Sequence, residues 1–196
     1  PYHNSSHAAD VLQTVLHMLT QPRLASTLET LEKVALLFAA CIHDFRHTGY
    51  SNSFLENIGS PLAFDYAYDS IQERMHTAEA LKLLAQPRNY FFPSFLEHDV
   101  EKIKHFRKTV ISIVLATDLA ASRQYERAFK ERLTALSVHR RRDSRGRPPS
   151  LKFFEGDAAG RLLLMQMAIK SADISHPIKP LNLHLAWSDR IIIEFF

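Results

Sequence analysis

Apolar side chains recur along most of this chain at intervals of three and four residues, the spacing that lines one face of a helix. Ala8, Val11, Leu12, Val15, Leu16 and Leu19 make such a stripe, so a helix is expected from the first residues to Thr20. His3 and His7 share a face of it if the first turn is helical, and nothing upstream offers a cap. Gln21-Pro22 ends this element. Ser26-Thr27-Leu28-Glu29 then reads as a capping box, with Ser26 as N-cap and Glu29 reaching back. The stripe Leu28, Leu31, Val34, Ala35, Phe38 and Cys41 merges into a continuous apolar run over residues 34–42, which predicts a helix buried on most sides. It ends in His43-Asp44-Phe45-Arg46-His47-Thr48-Gly49, polar groups that need partners when buried.

Ser60-Pro61 opens a further helix. Ser70-Ile71-Gln72-Glu73 repeats the capping-box pattern, and His76 lies one turn beyond Glu73 on the same face. Residues 89–97 are aromatic and irregular, a loop with a short turn. Residues 99–117 form the clearest long helix, with Ile103, Phe106, Val110, Ile113 and Val114 on its stripe. Residues 123–138 make a more polar helix, and the Arg/Pro/Gly-rich segment 139–150 is expected to be a mobile basic loop. Asp157 caps a helix running to Asp173, His176-Pro177 stops it, and residues 181–196 begin another. No alternating run is long enough for a sheet. The expected fold is all-α: a compact multi-helix bundle, the 196 residues forming one domain or a large part of one.

Composition sharpens this picture in a few places. Only 5 glycines, set among many leucines, alanines and long charged residues, agree with a helical chain. The net charge of +3 comes largely from the segment 139–147, so no nucleic-acid partner is expected. No apolar run is long enough to span a bilayer, and Pro1-Tyr2-His3-Asn4 does not open a secretory leader. The single Cys41 excludes an internal disulfide framework and points to a reducing, cytoplasmic setting. The 11 histidines are the unusual figure, since imidazole is the commonest transition-metal ligand and the usual acid–base group near neutral pH.

Candidate ligands fall at helix ends or on helix faces: His7, the His43-Asp44 pair, Asp118 and Asp173. Neighbouring His and Asp side chains diverge by about 100° on a helix, yet both can reach one ion held beyond its end. A capping or turn role explains an aspartate at a helix end more often than a metal does, so spacing alone leaves both readings open.

Longer motifs narrow the choice. Tyr2-His3-Asn4-Ser5-Ser6-His7-Ala8-Ala9-Asp10-Val11 opens the chain. His43-Asp44-x-x-His47-x-Gly49-x-x-Asn52-x-Phe54, Glu73-x-x-His76, Ile113-Val114-Leu115-Ala116-Thr117-Asp118 and Ala172-Asp173-Ile174-Ser175-His176-Pro177 follow in order. In this series the chain resembles the catalytic domain of the class I 3',5'-cyclic nucleotide phosphodiesterases, a branch of the HD-type metal phosphohydrolases. The resemblance implies a two-metal site where helix ends converge, and hydrolysis of the 3'-phosphoester bond of a cyclic nucleotide to the 5'-monophosphate. The resemblance favours cyclic AMP and leaves cyclic GMP open as a substrate.

By the same resemblance His7, His43, Asp44 and Asp173 are ligands of Zn2+, and Asp44 bridges to Mg2+ or Mn2+, whose waters His47, Glu73, His76 and Thr117 steady. A hydroxide between the metals attacks phosphorus, and His3, held by Glu194, protonates the leaving oxygen. Tyr2 and His176 are assigned to the substrate side; His176 stands where many relatives have Asn. Asp118 and Asn52 are given structural roles.

The chain departs from the family pattern at Met75, where a second histidine is usual, and at Ala67-Tyr68, where Asn-Asp is frequent. The family's purine-gripping glutamine and stacking phenylalanine are expected beyond Phe196, so the chain reads as a partial catalytic domain truncated at both ends, with regulatory domains outside it. Competing readings are a nucleotide-binding module without chemistry and an HD-type hydrolase of another phosphate ester. Arg141-Arg142-Asp143-Ser144 also fits a basophilic kinase site, against the plainer reading of a solvated loop.

Overall fold

The computed structural model describes residues 2–92, 96, 99–140, 154 and 156–195. Every regular element among them is helical: α1 (Ser5–Thr20), α2 (Pro22–Thr27), α3 (Thr30–Ile42), α4 (Asn52–Asn57), α5 (Pro61–Asp65), α6 (Ile71–Leu84), α7 (Val100–Leu115), α8 (Ser122–Arg140), α9 (Ala158–Asp173) and α10 (Leu181–Phe195), with short 3-10 turns at Pro87–Asn89 and His176–Ile178. The all-α expectation holds. Helix α3 is the central rod, with α1 and α7 against it; α9 packs on α1, α7 and α8, and α6 on α7.

The apolar stripes read from the sequence face one another in this core. Val11 and Val15 of α1, Leu36 and Ala39 of α3, Phe106, Val110 and Ile113 of α7, and Ile169 of α9 are all fully buried. Each large side chain removed from water here stabilises the fold by about 1.5–3 kcal/mol.

One buried ion pair sets the register of two helices. Arg161, near the start of α9, donates through Nε to Glu32 Oε1 at 2.9 Å and Oε2 at 3.0 Å, near the start of α3, and through Nη2 to Glu29 Oε1 at 2.9 Å. Equal numbers of residues separate Arg161 from Asp173 and Glu32 from Asp44, about 18 Å of helix in each case. Two parallel helices pinned at their beginnings therefore finish together, which brings Asp173 to His43 and Asp44.

The helix starts differ from the sequence reading in three places. Asn4 caps α1 after all, its Oδ1 accepting from Ser6 N–H at 2.8 Å and His7 N–H at 3.1 Å, so His3 lies outside the helix and off the face of His7. Ser26 does not cap α3: Pro22 nucleates the separate short α2, and α3 begins at Thr30, with Glu29 N–H donating to Glu32 Oε2 at 2.8 Å. Ser70 takes φ +45° and turns its hydroxyl to Asp118 Oδ2 at 2.8 Å, while Asn52 Oδ1 accepts from Gln72 N–H at 3.0 Å in the first turn of α6.

Ser60 caps α5 and Asp157 caps α9 as expected, their side chains accepting from Ala63 N–H and Gly160 N–H. Met75, at the departure from the family motif, is buried within α6. Helix α8 continues through His139 and Arg140, the first two residues of the stretch 139–150 read as a basic loop, arginine being a good helix former. The remainder of that stretch, including Ser144, lies outside the described residues. No helix among the described residues is long and apolar enough to cross a membrane.

Candidate metal centre and its cleft

The C-terminal ends of α3 and α9 and the first turn of α1 deliver four ligand-type side chains to one place. His7, His43, Asp44 and Asp173 each present an atom within 4.8 Å of the others. His7 Nε2 is 3.0 Å from Asp173 Oδ1 and 3.3 Å from Asp44 Oδ2; His43 Nε2 is 3.1 Å from Asp44 Oδ2, 3.4 Å from Asp173 Oδ1 and 3.4 Å from His7 Nε2. Ligand bonds of about 2.1 Å around one cation give neighbouring ligand atoms about 3.0–3.4 Å apart, so this spacing suits a transition-metal ion.

Two further observations agree with that fit. Asp44 Oδ2 is buried, and no donor reaches it in hydrogen-bond geometry, although both imidazole nitrogens lie close by. His43 Nδ1 faces the Ala40 carbonyl at 3.0 Å; the carbonyl can only accept, so Nδ1 carries a hydrogen and Nε2 is the atom turned to the cluster. The donor set of imidazoles and carboxylates is the kind that holds zinc.

Electrostatics follow from the same crowding. Burial works against charge on His43, but Asp44 and Asp173 outweigh it and hold its pKa well above the usual histidine value. Burial likewise opposes the carboxylates, yet His43 and His7 keep Asp44 well below the usual range and Asp173 at about 2. Against the effect of burial, the two carboxylates thus draw positive charge to themselves, which is why the pKa values of His43 and His7 both rise.

Asp44 also faces a second group. His76 Nε2 lies 3.9 Å from its Oδ1, and His47 shares this neighbourhood. His76 Nδ1 donates to Phe45 O at 2.7 Å, leaving Nε2 free to accept toward the cleft. Burial pushes both His47 and His76 down to about 4, so both are neutral near pH 7. Glu73 accepts from Asn52 Nδ2 at 2.8 Å, and burial raises its pKa. Thr117 is buried at the same wall, its hydroxyl donating back to Val114 O at 2.8 Å.

Asp118 stands outside the four-residue cluster: it accepts from Ser70 Oγ and, at 2.8 Å, from Ala120 N–H, which is a turn-closing role. Asn52, bonded to both Gln72 and Glu73, likewise ties chain segments together.

His3 overlooks the centre. Its Nδ1 donates to Glu194 Oε1, and Glu194 Oε2 accepts the backbone N–H of His3 at 3.0 Å and that of Tyr2. Burial opposes charge on Glu194, but these contacts with His3 and Tyr2 outweigh it and lower its pKa. The His3 ring stacks on His47, with centroids 3.6 Å apart and planes 14° apart. Tyr2 is buried against His7, with His176 6.3 Å from its ring. His176 in turn meets His184, Nδ1 to Nδ1, at 3.0 Å. Tyr2, His3, Asp44, His47, Glu73, His76, Thr117, Asp173 and His176 all line one cleft of about 630 Å³.

Sequence reasoning missed three contributors. Trp187 of α10 packs edge-on against Tyr2 at 5.5 Å and His7 at 5.8 Å. Lys170 of α9 is buried, with Nζ 2.9 Å from Ala116 O and 3.3 Å from Asp118 O, holding the end of α7 where Thr117 sits. Gln72, in the first turn of α6, is buried against the loop after His47. No periodicity marks these positions, because their partners come from distant segments; a lysine within an apolar helix was the one available signal.

An all-helical bundle with a buried His/Asp cluster open to a nucleotide-sized cleft defines a class of metal-centred protein. Residues 2–196 match the family described as 3'5'-cyclic nucleotide phosphodiesterase, and the chain belongs to that family. It is 35% identical to the probable 3',5'-cyclic phosphodiesterase pde-3 of Caenorhabditis elegans, over all of this chain and 30% of the worm protein. It is 32% identical to the high affinity cAMP-specific and IBMX-insensitive 3',5'-cyclic phosphodiesterase 8A of Mus musculus, over all of this chain and 24% of the mouse protein. The chain thus spans under a third of the length of these relatives.

Proposed function

We propose that this chain carries the metal centre of an enzyme that hydrolyses a 3',5'-cyclic nucleotide to its 5'-monophosphate, with cyclic AMP preferred and cyclic GMP accepted. The observation that carries the reading is the meeting of a four-ligand His/Asp cluster and a His3–Glu194 pair in one cleft. Family membership and the cAMP-specific name of the mouse relative support it.

In the reaction an oxygen from water joins phosphorus, the bond from phosphorus to the 3'-oxygen breaks, and the departing oxygen takes a proton. Zinc held by His7, His43, Asp44 and Asp173, with magnesium or manganese beside Asp44, acidifies water and neutralises phosphate charge when bound. His3 is the proton donor: Glu194 occupies its Nδ1 side and leaves Nε2 to face the leaving group. His47, Glu73, His76 and Thr117 line the wall beside Asp44 and orient water there. Tyr2 and His176 border the substrate. In the longer protein this chain is part of the catalytic domain, regulatory domains lie elsewhere, and the exposed, unpaired Cys41 suits a reducing cytoplasm.

The test uses the full-length protein, assayed on cyclic AMP, cyclic GMP and bis(4-nitrophenyl) phosphate, with bound metals counted by mass spectrometry. Turnover of cyclic nucleotide is expected, and His3→Gln lowers its kcat by about 10²- to 10⁴-fold. Metal-loaded protein that cleaves the nitrophenyl diester but neither cyclic nucleotide overturns the substrate assignment. Protein that binds nucleotide but holds no metal makes the chain a binding module instead.

A further inference from the structure

Gln72 is 3% exposed, and its carboxamide uses all four of its hydrogen-bonding positions. Oε1 accepts from Thr48 N–H at 3.1 Å and from Thr48 Oγ1 at 2.8 Å. A backbone N–H can only donate, so the atom facing Thr48 is the oxygen and the amide orientation is settled. The other end, Nε2, donates to Tyr50 O and lies 2.9 Å from His47 Nε2. The amide nitrogen can only donate, so Nε2 of the neutral ring accepts and Nδ1 carries the hydrogen; the Gly49 backbone, at φ +83° where glycine is favoured, passes 3.0 Å from that opposite edge.

The His47 ring is therefore held at Nε2 by Gln72 and flanked at Nδ1 by the Gly49 backbone, and it cannot rotate without breaking the Gln72 contact. It is also the surface on which His3 stacks, at 3.6 Å and 14°. His3 is then located by Glu194 at one edge and by the His47 plane beneath it. Small errors in the aim of an acid are costly, a displacement of about 1 Å lowering a rate by about 10²-fold.

We propose that Gln72 is a positioning residue for proton donation: its buried carboxamide locks the His47 ring to the Thr48–Tyr50 turn, and that ring in turn aims His3 at the leaving oxygen. Gln72 touches no substrate and acts only through His47. The inference rests on the reading of His3 as the proton donor.

A leaving group that needs no proton separates this role from a structural one. In the full-length, metal-loaded protein Gln72→Met is expected to lower kcat on cyclic AMP about 10- to 100-fold with KM nearly unchanged, and to change kcat on bis(4-nitrophenyl) phosphate less than about 2-fold, because nitrophenolate departs unaided. Gln72→Leu, which has no group that can bond His47 in either tautomer, gives the same pattern and serves if the Met variant does not fold. Two-bond ¹H–¹⁵N spectra of the histidine rings, with and without bound metal, give a readout independent of turnover: the His47 Nε2 resonance shifts in both variants. Equal losses on the two substrates, or an unmoved His47 resonance, overturn the proposal. If the unmutated protein cleaves neither cyclic nucleotide, the reaction assignment fails, and the His47 resonance still decides whether Gln72 holds that ring.

Discussion

The two sides of the cleft are built by different means. On one side His7, His43 and Asp173 come from long helices whose apolar faces interlock, with Val11, Leu36 and Ile169 of the same helices buried in the core. On the other, His47 and Asp118 sit on turns, Asn52 opens a short helix and Glu73 lies in the first turn of α6, and side-chain hydrogen bonds join them: Asn52 to Gln72 and Glu73, Gln72 to Thr48, Ser70 to Asp118. Left-handed backbone is concentrated on this second side, at Arg46, Gly49, Ala67, Tyr68 and Ser70. Packing fixes the first side cooperatively, since no ligand there can move without disturbing a core. The second depends on individual polar bonds, each worth about 1 kcal/mol. One side suits a tightly held ion, and the other suits a hydrated ion whose surroundings can be tuned.

The strongest way to break this contrast is at the packed side. Asp173→Ala removes one of four close ligands, so zinc content measured by mass spectrometry should fall toward zero. Turnover should drop by about 10³-fold or more, because Lewis-acid stabilisation of several kcal/mol goes with the ion. Added manganese should not restore it.

A smaller effect belongs to the polar side. Asn52→Ala unties Glu73 and the start of α6 together. The affinity for Mn2+, read by titration calorimetry, should weaken about 10- to 100-fold while zinc stays bound. Equal loss of both ions would show that the two sides are one unit.

The smallest change sharpens the picture without touching the centre. Ala67 is exposed and sits at φ +52°, a conformation costing a residue with a Cβ about 1 kcal/mol. Ala67→Gly should raise stability by about 0.5–1 kcal/mol, a gain of about 1–4 °C in Tm by scanning calorimetry, with kcat unchanged. The family's frequent Asn-Asp at this place has the same explanation, since short polar side chains tolerate left-handed backbone.

How much could be read in advance follows the same division. The helices of the packed side were legible because apolar periodicity is a local signal that survives into the core, as at Val11, Val15 and Ile113. His43-Asp44 announced itself by ending the most apolar run in the chain. The turns were read less well. Ser70 looked like a helix cap and proved to be a left-handed residue bonded to Asp118, and Ser26 lost its role to Glu29 and Glu32.

By itself the sequence determined an all-helical chain, the ends of most helices and the motifs that mark a family, because propensity, capping and periodicity act within a few residues. Only the tertiary structure decided that Arg161 aligns α9 with α3 so that Asp173 reaches His43, and that His3 lies flat on His47. It also carried the Gln72 side chain from α6 into the turn after His47. Those arrangements join side chains from remote segments, and their energies exist only once the core has closed and water has left the site.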